Sequence, residues 1–459
     1  MLQPQEIDKC LEALAGVYQL PEHLKLEKIG EFIKSTFSIT PDIYSPKNLK
    51  YLFSYPDPVG IFADFMSNTI HSNVHTEECS PIFTRCEIDV INTLITLVNY
   101  PTGDGVFYPG GSLSNLASVV LAKKTAQVDL SNAVALISDH AHYSIPEAIK
   151  ICGIPHILNV KTTSAGIVDL THLEEQVTYI RQQKKHLIYF CCVMGTTNFG
   201  TFDPAAEIYS IFQAQAQKPW IHFDAAWGGG VYFSQQSDDY KKLSAYSDSI
   251  TLDFHKFLSA PLLCSALLVK DKTVLLKNDV ADNASYLFND KQDTTYSLSL
   301  KSLQCSREAY AFKLWLMIRY HGIQHFRNLI QHYEEYRKIF EQQLTDRILF
   351  VVQPNYFNLC FWFIPKDLPV KKSILNYTDE EQKNIGSLNL AIYEKIAKED
   401  TIKINYANFN KLPVFIRIIV HHNNLKKTII SDIVRYLYTT YETVCPYIKE
   451  TSNTHTQIQ

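Results

Sequence analysis

The chain reads as an α/β protein, a mostly parallel β-sheet covered by helices and followed by a smaller α+β domain. Three observations predict this. Between residues 80 and 335, short runs rich in Val, Ile, Leu and aromatics alternate with longer helical stretches. The runs are Ala133–Ser138, 187–194, Trp220–Asp224, 250–253 and Ser265–Val269. Their apolar residues fall on both faces rather than at alternate positions only, as expected of strands covered on both sides. Finally, His142, Thr197, Asp224 and Lys256 each fall at or just after the end of such a run, where open α/β sheets bind their ligands.

Residues 1–79 read as short helices broken by Pro21, Pro41 and Pro46, without a strong core signal. This segment is expected to pack on a partner subunit. Residues 80–335 form the large domain, with helices such as 205–216 between its strands. An amphipathic helix runs from 306 to 344 with a break near Gly322. The small domain, 336–450, has strands in 350–363, 402–406 and 414–420, and helices at 388–397 and 427–441. The polar tail 451–459 is expected to be disordered.

A length of 459 residues allows two or three domains, and 46% hydrophobic with 20% charged residues is ordinary globular composition. The net charge of −4 and the absence of basic runs argue against nucleic acid or an anionic membrane as partner. No apolar run approaches transmembrane length, and Met1 to Glu6 lack the basic start of a signal peptide. The ten cysteines are scattered with no Cys-x-x-Cys pair, which suits free thiols in a reducing cytoplasm.

The chemistry is concentrated between Trp220 and Lys256. One strand delivers Asp224 into Ala225-Ala226-Trp227-Gly228-Gly229-Gly230, whose small residues are expected to admit a flat ligand. The next strand delivers His255-Lys256. A lysine nucleophile and a carboxylate at adjacent strand ends equip a site for pyridoxal phosphate. Lys256 would form the Schiff base and Asp224 would keep the pyridine nitrogen protonated. Ala226 is small enough to lie under one ring face and His142 is placed to stack on the other, with His140 as its rival. A metal on those two histidines is the lesser reading, and no metal is expected. Gly111, Ser112 and Leu113 open an apolar helix whose free N–H groups suit a phosphate. Thr197, in Gly195-Thr196-Thr197, is placed to touch the ring oxygen or the substrate. Arg417, inside an apolar strand, needs an anion, either a structural carboxylate or that of a substrate.

These residues carry a family resemblance. His222-Phe223-Asp224-Ala225-Ala226-Trp227-Gly228-Gly229-Gly230 and Asp253-Phe254-His255-Lys256 are supported by Tyr108-Pro109-Gly110-Gly111-Ser112, His142-Tyr143-Ser144 and Gln304-Cys305-Ser306-Arg307. Over residues 50 to 445 the chain resembles the group II pyridoxal-phosphate-dependent amino-acid decarboxylases, in the glutamate and cysteine-sulfinate branch. The resemblance implies a fold-type I, seven-stranded large domain, a homodimer with sites at the subunit interface, and α-decarboxylation of an L-amino acid. It also implies that Asp253 reaches the phosphate where many relatives carry asparagine, that His255 joins the cofactor site, and that Arg417 holds the substrate carboxylate. Tyr296, on a mobile loop over the neighbouring subunit's site, would protonate the substrate α-carbon. The chain departs from the pattern at 59–64, where glutamate-type relatives hold a distal carboxylate. The apolar and acidic residues there admit an aromatic or cationic side chain instead. Transamination, aldol-type cleavage and a non-catalytic cofactor-binding homologue are the competing readings.

Overall fold

The computed structural model describes residues 26–53, 55–215, 218–275, 296–409 and 412–445. Its first strands are β1 (Asp104–Tyr108), β2 (Ala133–Ser138), β3 (His156–Val160), β4 (His186–Val193), β5 (Trp220–Asp224), β6 (Ser249–Asp253) and β7 (Ser265–Val269). They form one sheet in the order β1-β7-β6-β5-β4-β2-β3. β3, β2, β4, β5 and β6 pair in parallel, whereas β7 runs antiparallel to both β6 and β1. The mostly parallel, seven-stranded expectation therefore holds.

The described chain opens with α1 (Leu26–Ile39), and around the sheet lie α2 (Pro58–Ile70), α3 (Pro81–Val98), α4 (Gly111–Thr125), α5 (Ser144–Ile151), α6 (Leu170–Gln182), α7 (Ala205–Ala214), α8 (Ser237–Leu243) and the single turn α9 (Phe254–Phe257). Two helices, α10 (Tyr310–His321) and α11 (Ile323–Gln343), then meet at Gly322. The glycine's φ of +74 is a conformation that L side chains rarely adopt, so the expected break falls where the chain can turn. Beyond it, β8 (Ile348–Phe350), β9 (Asn358–Phe363), β10 (Asn405–Ala407) and β11 (Phe415–Ile419) form a separate antiparallel sheet, β10-β11-β9-β8. It packs with α12 (Asp379–Glu399) and α13 (Lys427–Val444). A capping box between Thr378 and Glu381 starts α12.

The sequence reading missed β1 and β3. β1 contains Asp104 and Gly105, and β3 is an edge strand with His156 and Asn159 partly or fully exposed, so neither shows the uniform apolar run of the inner strands. The run 350–363 is two strands rather than one, because Gln353-Pro354-Asn355 interrupts it. The N-terminal segment is not without core. Leu49 is fully buried among residues of β9, β11, α12 and α13, and its backbone bonds to Lys403 and Ile419. Flanked by Asn48 and Lys50, one leucine leaves no periodic trace.

The buried Arg307 guanidinium ties three segments together. It donates to Glu87 of α3 at 2.6 Å, to the Phe107 carbonyl of β1 and to the Val74 carbonyl. Among the described residues no helix is long and apolar enough to cross a membrane. The tail 451–459 lies outside the described residues.

Candidate active site

The parallel register sets the site. β4, β5 and β6 lie side by side, so Asp224 stands level with Val193, which like it ends its strand, and with Thr251, two residues before the end of β6. One turn past β6, α9 carries Lys256. At this edge opens a cleft of about 240 Å³, and Gly111, His142, Thr197, Asp224, Ala226 and Lys256 all line it. The strand-end coincidence noted in the sequence is thus a spatial one. Ser112, His140, Asp253 and His255 line the same cleft.

Asp224 is 5% exposed. Its Oδ1 accepts the Ala226 amide at 3.2 Å and its Oδ2 accepts from Asn115 Nδ2 at 3.1 Å. Asn115 in turn presents Oδ1 to His222 Nε2 at 3.1 Å, and His222 Nδ1 faces Ser249 Oγ at 2.8 Å. Because an amide oxygen only accepts, His222 carries its proton on Nε2 and takes one from Ser249 at Nδ1. Burial pulls the His222 pKa down to about 4, which keeps the ring neutral. Sequence reasoning missed Asn115 as a site residue. Its one visible signal is a polar side chain four residues after Gly111, buried on the same helix.

Lys256 Nζ lies 2.9 Å from Asp253 Oδ2. Burial works to raise the Asp253 pKa, but the charges of Lys256 and His255 outweigh it and hold the carboxyl below its usual range. The other oxygen, Oδ1, is buried, with no hydrogen-bond partner within reach among the described residues. Asp253 also abuts the start of α4, since a Cβ on Gly111 would stand 2.6 Å from Oδ2. Only glycine allows this approach. Gly110, with φ of +97, turns the chain into the helix. Leu113 does not line the cleft. Its amide bonds to the Gly110 carbonyl at 3.1 Å and its side chain packs against residues of β1 and β7, so Gly111 and Ser112 remain the cleft-facing pair.

His142 and His140 both border the cleft but differ in surroundings. His142 is half-buried, with Nδ1 at 2.9 Å from Ser144 Oγ, and burial lowers its pKa. His140 stacks on Phe409 with ring centroids 4.0 Å apart, and burial brings its pKa to about 4. One face of His140 is thus committed to protein.

Several expectations change. The glycines after Asp224 do not admit a ligand. Gly228 to Gly230 are buried, and the space left by their missing side chains is filled by the Met194 carbonyl, by Leu252 and Phe257, and by the Tyr356 hydroxyl. The residues 59–64 sit in α2 rather than in this cleft. Phe62 and Ile61 face outward, and Asp64 is paired with the buried Lys313 at 2.7 Å. Tyr296 lies outside the chain's own cleft, its ring 3.7 Å under the Arg85 guanidinium. The residues just before it, 276–295, fall outside the described ones.

Arg417, also outside the cleft lining, is 8% exposed in the middle of β11. Its Nε has no hydrogen-bond partner, and among the described residues no carboxylate lies within 4 Å of it. The structural-carboxylate alternative therefore finds no described partner. Arg417 stands level with Cys360 of β9, whose thiol donates to the Asn198 carbonyl at 3.1 Å. Asn358 donates to the carbonyls of Thr197 and Asn198, so the small sheet grips the loop that carries Thr197.

A lysine, a buried carboxylate fixed by amide donors, a small residue and an imidazole share one cleft, beside a helix start. This donor set fits pyridoxal phosphate, and together with the sheet topology it defines a pyridoxal-phosphate-dependent enzyme of fold-type I. Comparison with known proteins narrows the class. Residues 21–364 match the pyridoxal-dependent decarboxylase conserved domain. Human acidic amino acid decarboxylase GADL1 is 31% identical over 420 residues, covering 88% of this chain and 78% of that protein. Human cysteine sulfinic acid decarboxylase is 31% identical over 396 residues, covering 83% and 79%. Mouse CSAD superposes with a TM-score of 0.84 at 26% identity, over 96% of this chain and 92% of that one. Tryptophan decarboxylase of Catharanthus roseus has a TM-score of 0.78 at 21% identity over 94% and 91%, a likeness of fold alone. The chain belongs to the pyridoxal-dependent decarboxylase family. It is a carboxy-lyase that uses pyridoxal phosphate to decarboxylate an amino acid.

Proposed function

We propose that this chain is a cytoplasmic, homodimeric L-amino-acid α-decarboxylase whose substrate has an acidic side chain. The observation that carries the site assignment is the convergence of Lys256, Asp224, Ala226 and His142 on one cleft. When bound, pyridoxal phosphate supplies the electron sink for the pair released as the Cα–carboxylate bond breaks. Lys256 provides the amine that anchors it. Asp224, itself oriented by Asn115 and the Ala226 amide, holds a proton at the pyridine nitrogen. Ala226 and His142 would hold the two faces of its ring, and the amides of Gly111 and Ser112 would hold its phosphate. Arg417 holds the substrate carboxylate, which suits a buried guanidinium with no described carboxylate partner.

An acidic substrate is supported by the two relatives named for acidic amino acids. A cationic substrate loses its support because Asp64 is neutralised by Lys313. Homodimer formation is supported by exposed apolar side chains on the N-terminal helices. Ile29, Ile33 and Phe37 recur every four residues of α1, and Phe62 and Phe65 project from α2. Nine described cysteines carry free thiols, in keeping with a reducing compartment.

The test is carbon dioxide release from purified holoenzyme offered aspartate, cysteine sulfinate, glutamate, 2,4-diaminobutyrate and the aromatic amino acids. Release from aspartate or cysteine sulfinate well above the rest supports the reading. Preference for diaminobutyrate or an aromatic substrate overturns the acidic assignment but not the family. Turnover by Lys256→Ala would remove the lysine from its role.

A further inference from the structure

We propose that Asp57, His321 and His325 form a binding site for a divalent transition metal of the zinc class, outside the catalytic cleft. His321 ends α10, Gly322 turns the chain, and His325 lies in the first turn of α11. The turn brings the two imidazoles together, stacked with ring centroids 4.3 Å apart and planes 15° from parallel, so the His325 ring must rotate out of the stack for both to direct a nitrogen at one ion. Asp57, the N-cap of α2, faces them. Its Oδ1 is taken by the Val59 and Gly60 amides, while Oδ2 is 2.9 Å from His321 Nε2. The three ligand atoms lie within 4.8 Å of one another, a grouping of nitrogen and oxygen donors from three helices.

The donor chemistry selects the ion. Two imidazoles and one carboxylate suit zinc, cobalt or nickel, whereas magnesium and calcium prefer all-oxygen sets. Three protein ligands leave a fourth position for water. His325 is exposed, so its ring is free to swing toward Oδ2. A metal on His321 Nε2 takes the place of the hydrogen bond between that nitrogen and Asp57 Oδ2.

The position gives such an ion a structural consequence. The Asp57 amide donates to the Ser259 carbonyl at 2.7 Å, three residues beyond Lys256. Gly60, in the first turn of α2, lies so close to Pro261 that a Cβ would stand 2.5 Å from its ring. A metal on Asp57 fastens the α2 start and the α10–α11 elbow to the segment that follows the catalytic lysine. It braces that segment without touching the cleft.

The experiment uses metal-depleted holoenzyme titrated with cobalt(II), read by visible d–d absorption, and with zinc, read by thermal midpoint. One cobalt per chain is expected, displaced by zinc and indifferent to magnesium, with a zinc-dependent rise in the midpoint. His325→Ala changes an exposed side chain and should weaken cobalt binding by at least about tenfold. Asp57→Asn keeps a good helix cap and should weaken it similarly. His186→Ala, an exposed histidine elsewhere, should leave binding unchanged. Absence of the band, or equal binding by His325→Ala and the unaltered chain, overturns the site while leaving the decarboxylase reading intact.

Discussion

Asn115 donates from Nδ2 to Asp224 Oδ2 at 3.1 Å while its Oδ1 meets His222 Nε2 at the same distance. One amide thus fixes the cleft carboxylate from behind, and a neutral imidazole fixes the amide. The chain continues to Ser249 Oγ, which also accepts the Trp220 indole N–H at 2.8 Å. Each buried donor in this line meets an acceptor, as a low-dielectric interior requires.

Replacing Asn115 by Ala removes a hydrogen bond to a charged group, worth about 1.5–3 kcal/mol. Titration of the apoprotein with pyridoxal phosphate should show an affinity lower by roughly ten- to a hundredfold. An unchanged affinity in a normally folded variant would dismiss Asn115 as the orienting group.

His222 makes stability depend on pH in a known direction. Its folded pKa of about 4 lies below the ordinary 6.5, so the unfolded chain binds the proton more readily. The stabilisation is complete above pH 6.5 and is lost as pH falls toward 4. A difference of that size corresponds to something on the order of 3 kcal/mol. His222→Gln should therefore lose less of its urea midpoint between pH 7.5 and 5 than the unaltered protein does. Parallel losses would show that His222 does not set the acid side of the profile. His140 and His421, held at about 4 and about 3 by burial, act in the same direction and remain in the variant.

Arg417 offers a test that separates a substrate role from a structural one. With no described carboxylate to orphan, Arg417→Met should leave thermal stability unchanged or raised. It should lift KM for the amino acid at least about tenfold, the equivalent of about 1.4 kcal/mol. A large fall in stability with unaltered KM would reassign the guanidinium to the fold.

Tyr296 is tested by mixing subunits. If it serves the partner's site, Lys256→Ala and Tyr296→Phe chains refolded together regenerate one intact site in each mixed dimer. Random pairing then restores about a quarter of normal amine formation. If the tyrosine acts within its own chain, no intact site can form and amine stays at the level of the separate variants. Tyr296→Phe alone should keep its cofactor and shift product from amine toward aldehyde.

The inner strands were legible because burial on both faces demands mostly apolar residues, and Ala133–Ser138, apolar up to Ile137 and buried throughout, shows this. Edge strand β3 and the glycine-containing β1 were not, since their neighbours and not their own side chains decide their state. Lys256, Asp224, Ala226 and His142 could be listed in advance because each follows a readable strand end. Asn115 could not, because nothing in a helix's sequence says which carboxylate its polar side chain will meet. Gly228 to Gly230 were recognisable as constrained, but their constraint is protein packing and not ligand access.

By itself the sequence determined the strand–helix alternation, the cofactor class and the residues at the strand ends, because local hydrophobic pattern and side-chain chemistry are properties of the chain. Tertiary structure alone decided which distant groups became neighbours: Asn115 with Asp224, Arg307 with Glu87, Asp57 with His321. Those pairings bridge up to 264 positions of chain and exist only after the core has closed around them. No local propensity encodes a contact whose partner is fixed by how two layers pack.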